Sequence, residues 1–164
     1  MMNTNTHQKE LTEMNIRLQN RGEFNICGYL TETDLENCGK DIGILWNNFE
    51  INKNNLYTIF GVKSDFYGLM WKTQNGQYCY LLGVDTELAN KSPEGTVCKQ
   101  IPPEKYAVLS VPSTKYAVDA WTEFYGQVLP NANLIPVAGH AFDFEYYPEG
   151  GDGNYELWTP VTEK

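Results

Sequence analysis

One order of elements is written twice along this chain. GEFNICGYL, the amphipathic ILWNNFE, YTIFGV and YCYLLGV in the first half answer to PEKYAVLSV, AWTEFYG, FDFEYY and YELWTPV in the second. Trp46 answers to Trp121 at an offset of 75 residues, and Tyr78 to Tyr155 at an offset of 77. The letters themselves agree poorly, so order and spacing carry the inference. Each unit reads strand, helix, strand, strand. Two such βαββ units predict an α+β fold with pseudo-twofold symmetry, antiparallel sheets joined edge to edge, helices on one side and a ligand cleft between the halves. A length of 164 residues suits one domain or two fused half-domains and leaves no room for a second full domain. The expected division is a polar N-terminal arm over 1–13 and a single domain over 14–164, with repeat halves of about 14–90 and 95–162.

In the first half, residues 14–33 hold two strand-like pieces, and Gly22 and Gly28 suggest a bulge or bend. Ile42, Leu45, Trp46 and Phe49 recur at i, i+3, i+4 and i+7, which predicts a helix of about three turns ending in INKNN. LYTIFGVKS and QYCYLLGVDTE then read as strands, and Asn75-Gly76 is the turn signal at the end of their connection. Phe66, Tyr67, Met70 and Trp71 make that connection unusually apolar, either as a flap over a site or as packing on a sheet edge. In the second half, VCKQIPPEKYAVLSV reads as two strands broken at Pro-Pro. Ser113 or Thr114 is the candidate N-cap of a helix carrying Tyr116, Ala117, Ala120, Trp121, Phe124, Tyr125, Val128 and Leu129 up to Pro130. This stripe is wider and more aromatic than covering a sheet requires, so one edge of it is a candidate cavity lining.

The run AFDFEYYPEGGDGNYELWTPV, from Ala141 to Val161, predicts a hairpin with an acid in an aromatic strand. Period 2 puts Asp143, Glu145 and Tyr147 on one face and Phe142, Phe144 and Tyr146 on the other. On the returning strand, Glu156, Trp158 and Pro160 oppose Tyr155, Leu157, Thr159 and Val161. Two readings of Glu145 stand: a solvated strand residue, or a carboxylate among rings that suits flat, lipophilic cations. Glu156 likewise is either a solvated strand residue or the second member of an acid-base pair with Glu145.

The formal charge of −9 and pI near 4.6 argue against phosphate contacts, which need clustered Lys and Arg. The polar start MMNTNTHQKELTEM is no signal peptide, and no run is long enough to span a membrane. Cys27, Cys38, Cys79 and Cys98 contain no CxxC and read as reduced thiols of a cytoplasmic protein, with no disulfide and no metal. His7 and His140 offer little for metal binding or triad chemistry, no Ser lies in a GxSxG turn, and Gly150, Gly151 and Gly153 are turn glycines. No cofactor is expected.

IPPEKYAV, AWTEFYGQVLPNA, FDFEYYPEG and YELWTPV resemble, in order, the second-half signature of the GyrI-like effector-binding family, also seen as the ligand domain of multidrug-sensing transcription regulators. ILWNNF, IFGV and YLLGV resemble its first half, particularly in the integron-associated branch. The resemblance implies the duplicated βαββ fold and a pocket between the halves holding an acid that matches Glu145. Tyr116, Trp121, Tyr147 and Trp158 fall at or near pocket-lining positions, and Trp46 joins them by pseudo-symmetry with Trp121. It implies a binder of lipophilic cationic or planar aromatic small molecules. In the regulators this domain is fused to a helix-turn-helix module. Here about a dozen residues precede the first strand, so the expectation is a stand-alone binder with no direct nucleic-acid role and no named protein partner. The family also implies two alternatives: a cofactor-free hydrolase opening the cyclopropane ring of DNA-alkylating natural products, with Glu145 as its catalytic residue, and an acidic protein-partner inhibitor of the gyrase type.

Overall fold

The computed structural model describes residues 15–62 and 65–164. The arm expected over 1–13 lies outside them. The strands are β1 (Ile16–Arg21), β2 (Phe24–Thr33), β3 (Phe66–Lys72), β4 (Tyr78–Asp85), β5 (Val97–Ile101), β6 (Glu104–Val111), β7 (Leu134–Pro136), β8 (Asp143–Tyr147) and β9 (Tyr155–Glu163). Helix α1 spans Cys38–Phe60. Helix α2 starts as Ala117–Glu123 and runs on through a π-helical turn, Phe124–Val128, into a last turn, Leu129–Asn131.

All strand pairs are antiparallel, in the order β1-β6-β9-β8-β3-β4-β2-β5, with β7 paired to the end of β9. From the central β8–β3 pair outward, each side shows the second, third and first strand of a βαββ unit. The central strands β3 and β8 begin 77 residues apart, as do β4 and β9. That spacing corrects the sequence alignment of the halves. LYTIFGV is not a strand: α1 continues through Leu56 and Phe60, which are buried with Leu45 and Phe49. The Asn-rich stretch does not end the helix because its residues fall on the outer side of this buried stripe, and Asn52 donates through Nδ2 to the Asn48 carbonyl one turn back. Each of the four buried side chains contributes about 1.5–3 kcal/mol by leaving water, more than the Asn propensities cost. The apolar DFYGLMWKTQ is neither flap nor edge: it supplies β3, in the middle of the sheet.

Connectivity forces the sheet to curl. In a flat sheet six strand spacings would hold β1 and β2 about 29 Å apart. Only Gly22 and Glu23 join them, and two residues span roughly 10 Å. Pro102 and Pro103 impose the same closure between β5 and β6. The curl encloses Phe24, Ile26, Tyr67, Leu69, Leu81, Ile101, Tyr106, Val108, Phe144 and Trp158 in one core on the face away from the helices. The Arg21 guanidinium lies 3.6 Å from the Phe24 ring centroid and closes one end. On the other face α1 covers the first half, packing on Cys27, Tyr80, Leu82 and Val84, and α2 covers the second, packing on Ala107, Leu109, Val111 and Leu157.

Three local expectations change. Cys27 and Cys98, directly opposite in the β2–β5 register, form a disulfide, so two of the four cysteines are not free thiols; Cys38 and Cys79 are. Strand alternation brought the pair together, and the lack of a CxxC motif carried no information about it. Gly28 and Gly83 face each other across β2 and β4, where a Cβ on either would strike the backbone of the other strand. Neither Ser113 nor Thr114 caps α2: Ser113 donates its backbone N–H to Asn154 Oδ1, and Tyr116 occupies the N-cap without a side-chain bond. The π-helical turn falls where the ring of Pro130 would crowd the carbonyl four residues back in a regular helix. Among the described residues, no helix is long and apolar enough to cross a membrane.

Candidate functional site

The centre of the sheet, where the two halves meet, holds a buried acid. Glu145 on β8 lies opposite Gly68 on β3 and opposite Leu157 on β9, and its residue exposure is 3%. Its Oε1 accepts the hydroxyls of Tyr80 at 2.5 Å and Tyr147 at 2.8 Å, and its Oε2 accepts the Trp121 indole N–H at 2.8 Å. Tyr80 comes from β4, two strands away. It reaches Glu145 by crossing β3 at Gly68, where a Cβ would overlap the Tyr80 hydroxyl and come within 2.9 Å of Glu145 Oε1. One missing side chain thus lets the first half donate to the acid of the second.

All three donors are neutral. Burial raises the Glu145 pKa, and the bonds from Tyr80, Trp121 and Tyr147 oppose that shift without cancelling it. Burial and then the adjacent carboxylate push both Tyr80 and Tyr147 well above the ordinary phenol range, so each hydroxyl keeps the proton it donates. Around Tyr147 the rings are continuous. Phe66 stacks on it at 4.7 Å between centroids, Tyr155 stacks at 5.4 Å, and Trp46 meets it edge-on at 5.3 Å.

On the other side of Trp121 lies a cavity of about 600 Å³, bounded by Met70, Trp71, Lys72, Tyr78, Trp121, Tyr125, His140 and Asp143 among others. This size is ordinary for a small-molecule site. Asp143 shares the strand face of Glu145 and accepts from Tyr125 at 2.6 Å, Thr159 at 2.6 Å and His140 Nε2 at 2.8 Å. Trp121 belongs both to the cavity wall and to the bonds around Glu145. Among the described residues, no group of three or more His, Cys, Asp and Glu side chains is placed to hold a metal ion.

Four of the six expected site residues come together: Glu145, Trp121, Tyr147 and Trp46. Trp158 does not. It points to the inner face, stacked on Phe144 at 5.2 Å, because it alternates with Leu157, the partner of Glu145. Tyr116 is 79% exposed at the head of α2, outside the bonds around Glu145 and the cavity wall. Glu156 also faces away from Glu145, pairing with Arg17 at 2.7 Å, so the two acids form no catalytic pair. Tyr80, Gly68, Asp143 and His140 were missed. Period 2 already set Asp143 beside Glu145; the contribution of Tyr80 depends on strand order, which no local pattern contains.

Comparison with known proteins agrees with this architecture. The structure of SAV2435 bound to tetraphenylphosphonium superposes with a TM-score of 0.74 at 18% identity, covering 91% of this chain and 94% of that one. The integron cassette protein VCH_CASS2, from the mobile metagenome of Vibrio cholerae, gives 0.67 at 18% identity, covering 90% and 96%. The transcriptional regulator BrlR of Pseudomonas aeruginosa is 29% identical over 160 residues, which is 92% of this chain and 57% of BrlR, so the chain spans a little over half the length of that relative. A profile described as Cass2, integron-associated effector binding protein, matches residues 17–161. That match covers nearly the whole described fold, and the chain belongs to the integron-associated effector-binding proteins of the GyrI-like family.

Proposed function

We propose that this effector-binding protein takes up flat, lipophilic, preferably cationic molecules, with Glu145 as the charge anchor and Trp121, Tyr147 and Trp46 as aromatic contacts. One observation carries the reading: Glu145 is buried and its bonded partners are all neutral. A carboxylate so placed has lost most of its hydration without gaining a counter-charge, a cost of several kcal/mol. An organic cation, weakly hydrated itself, supplies that charge, and each ring it faces adds about 0.5–2 kcal/mol. The cavity leads to the acid through Trp121. Swinging the indole aside exposes Oε2 and leaves the two tyrosine hydroxyls on Oε1. That SAV2435 binds tetraphenylphosphonium, a lipophilic cation that is tetrahedral and not flat, supports the charge and lipophilicity of the proposed ligand.

Titration with tetraphenylphosphonium, followed calorimetrically or by tryptophan fluorescence, tests the reading. Glu145→Gln should weaken binding at least about tenfold, the equivalent of 1.4 kcal/mol. Binding should also weaken in acid, because protonating Glu145 removes the anchor. A Glu145→Gln protein that binds the cation as well as the wild type overturns the proposal.

A further inference from the structure

The cavity wall carries a charged pair that the Glu145 reading does not use. His140 has an acceptor at each ring nitrogen: the Val137 carbonyl lies 2.8 Å from Nδ1, and Asp143 Oδ1 lies 2.8 Å from Nε2. Only the doubly protonated ring donates to both. The side chains of His140 and Asp143 are 17% and 21% exposed, so the pair is shielded yet open to the cavity. Asp143 is held from behind by the Tyr125 and Thr159 hydroxyls, which donate to its Oδ2 and Oδ1 and lie 2.9 Å from each other. The carboxylate therefore has a fixed position without His140.

We propose that Asp143 is a second cation anchor of this cavity and that the His140 imidazolium is its resident counter-ion, displaced as a proton when an organic cation binds. This rests on the cation-binding reading above. The exchange balances without any covalent change to the ligand. The pair His140-H⁺ and Asp143⁻ takes up R₄P⁺, Asp143⁻ faces the new cation, neutral His140 keeps one N–H, and one H⁺ passes to solvent. Two positive charges beside one carboxylate in a shielded cavity repel each other, and only the imidazolium can discard its charge.

The groups facing His140 set the pH range. Asp143 raises its pKa by hydrogen bond and charge, the Val137 carbonyl and Glu104 of β6 add to this, and burial opposes it. Lys72, Tyr78 and Tyr125 complete the titratable groups of the shared wall, and Lys72 stands 5.0 Å from the Tyr78 ring centroid. Because the folded His140 pKa lies above its ordinary 6.5, the imidazolium competes with the ligand below that folded value and disappears above it. Cation affinity should therefore rise up to tenfold per pH unit on the acid side and level off on the alkaline side. Glu145 bends the affinity in the same direction, so the pH profile of the wild type alone does not separate the two acids.

The separating experiment follows the two imidazoles of the full chain, His7 and His140, by NMR with and without saturating tetraphenylphosphonium, His140→Asn giving the assignment. The cation should lower the His140 pKa by at least about one unit, a tenfold linkage, and release close to one proton in calorimetry across buffers of different ionisation heat. At a pH where Glu145 is ionised, His140→Asn should release none; it should bind more tightly than the wild type below the folded His140 pKa, the two converging above it. An unshifted His140 in the wild-type complex, a measurement that needs no variant to fold, overturns the proposal. If Glu145→Gln abolishes binding while His140 stays unshifted, this inference falls alone. If Asp143→Asn abolishes it and Glu145→Gln does not, the Glu145 anchor falls and this inference stands. If tetraphenylphosphonium does not bind the wild type, both fall.

Discussion

The two βαββ halves share an order of strands and differ in what they have specialised. In the first half, α1 runs for 23 residues, β2 is bonded by Cys27–Cys98 to β5, the strand that opens the second half of the chain, and β2 and β4 approach closely at Gly28 and Gly83. In the second half, α2 is interrupted by a π-helical turn and no disulfide holds β6 to its neighbours, yet both carboxylates of the proposed site stand on β8. The seam shows the division most directly. Gly68 lies opposite Glu145, and it is also 77 residues before it, the spacing that relates Tyr78 to Tyr155. One half places an acid where the other leaves a gap. The lesson is that a chemical group buried at a symmetric seam requires its counterpart to shrink.

The largest effect expected from breaking this contrast is on the disulfide. The bond closes a sequence separation of 71 residues, worth about 4 kcal/mol in chain entropy. Urea unfolding with and without reductant should show a loss of that order. Affinity for tetraphenylphosphonium, measured where the reduced protein is still folded, should stay within about twofold, a change under 0.5 kcal/mol. Loss of binding on reduction would mean that the β2–β5 bond shapes the site and does not only hold the frame.

Gly68→Ala should act next, because it is a first-half change aimed at second-half chemistry. Its methyl group overlaps the Tyr80 hydroxyl and presses on Glu145, an overpacking that costs about 1–3 kcal/mol in unfolding free energy. Cation affinity should fall with stability, and the Tyr80 donor should be lost. A Gly68→Ala protein that unfolds and binds like the wild type would break the account of Tyr80 reaching across β3.

Trp121→Phe keeps a ring in the cavity wall and removes one of the three donors to Glu145. About 1 kcal/mol of stability should go with it. If the ligand displaces that same indole bond, as proposed, the loss in affinity should be smaller than for Glu145→Gln. An equal loss would make the indole a permanent ligand contact and not a gate.

The smallest effect is on stability against pH in the empty protein. His140 has a raised folded pKa, so its contribution is complete below 6.5 and lost as pH rises through the folded value. Glu145 is also raised, so the folded state holds its proton longer than the unfolded chain does, and stability falls as pH climbs above the ordinary 4.5. The empty protein should weaken from mildly acidic to alkaline pH while cation affinity strengthens. Thermal melts of the wild type, His140→Asn and Glu145→Gln across that range should assign the upper part of the slope to the imidazole and the lower part to the carboxylate.

Much of the second half was legible from residues alone. Alternation separated Glu145 from Phe144 within FDFEYY, and Tyr155 and Leu157 from Trp158 within YELWTPV, and the structure keeps both separations. The aromatic stripe of AWTEFYG identified a helix with more ring surface than packing needs, and Trp121 and Tyr125 are the excess. Periodicity names the members of a face because side-chain direction is a local property of the backbone. It does not set the register between strands, and so the family resemblance put Trp158 beside Glu145 where the β8–β9 register puts Leu157, leaving Trp158 opposite Phe144 in the inner core. Nor does it order the strands. Tyr80 meets Glu145, and Cys27 meets Cys98, across sequence distances of 65 and 71 residues, contacts that exist only once β3, β4 and β8, or β2 and β5, lie side by side. The central strand β3 was missed for a related reason: its apolar letters fit a flap as well as a strand, and only pairing on both edges distinguishes them.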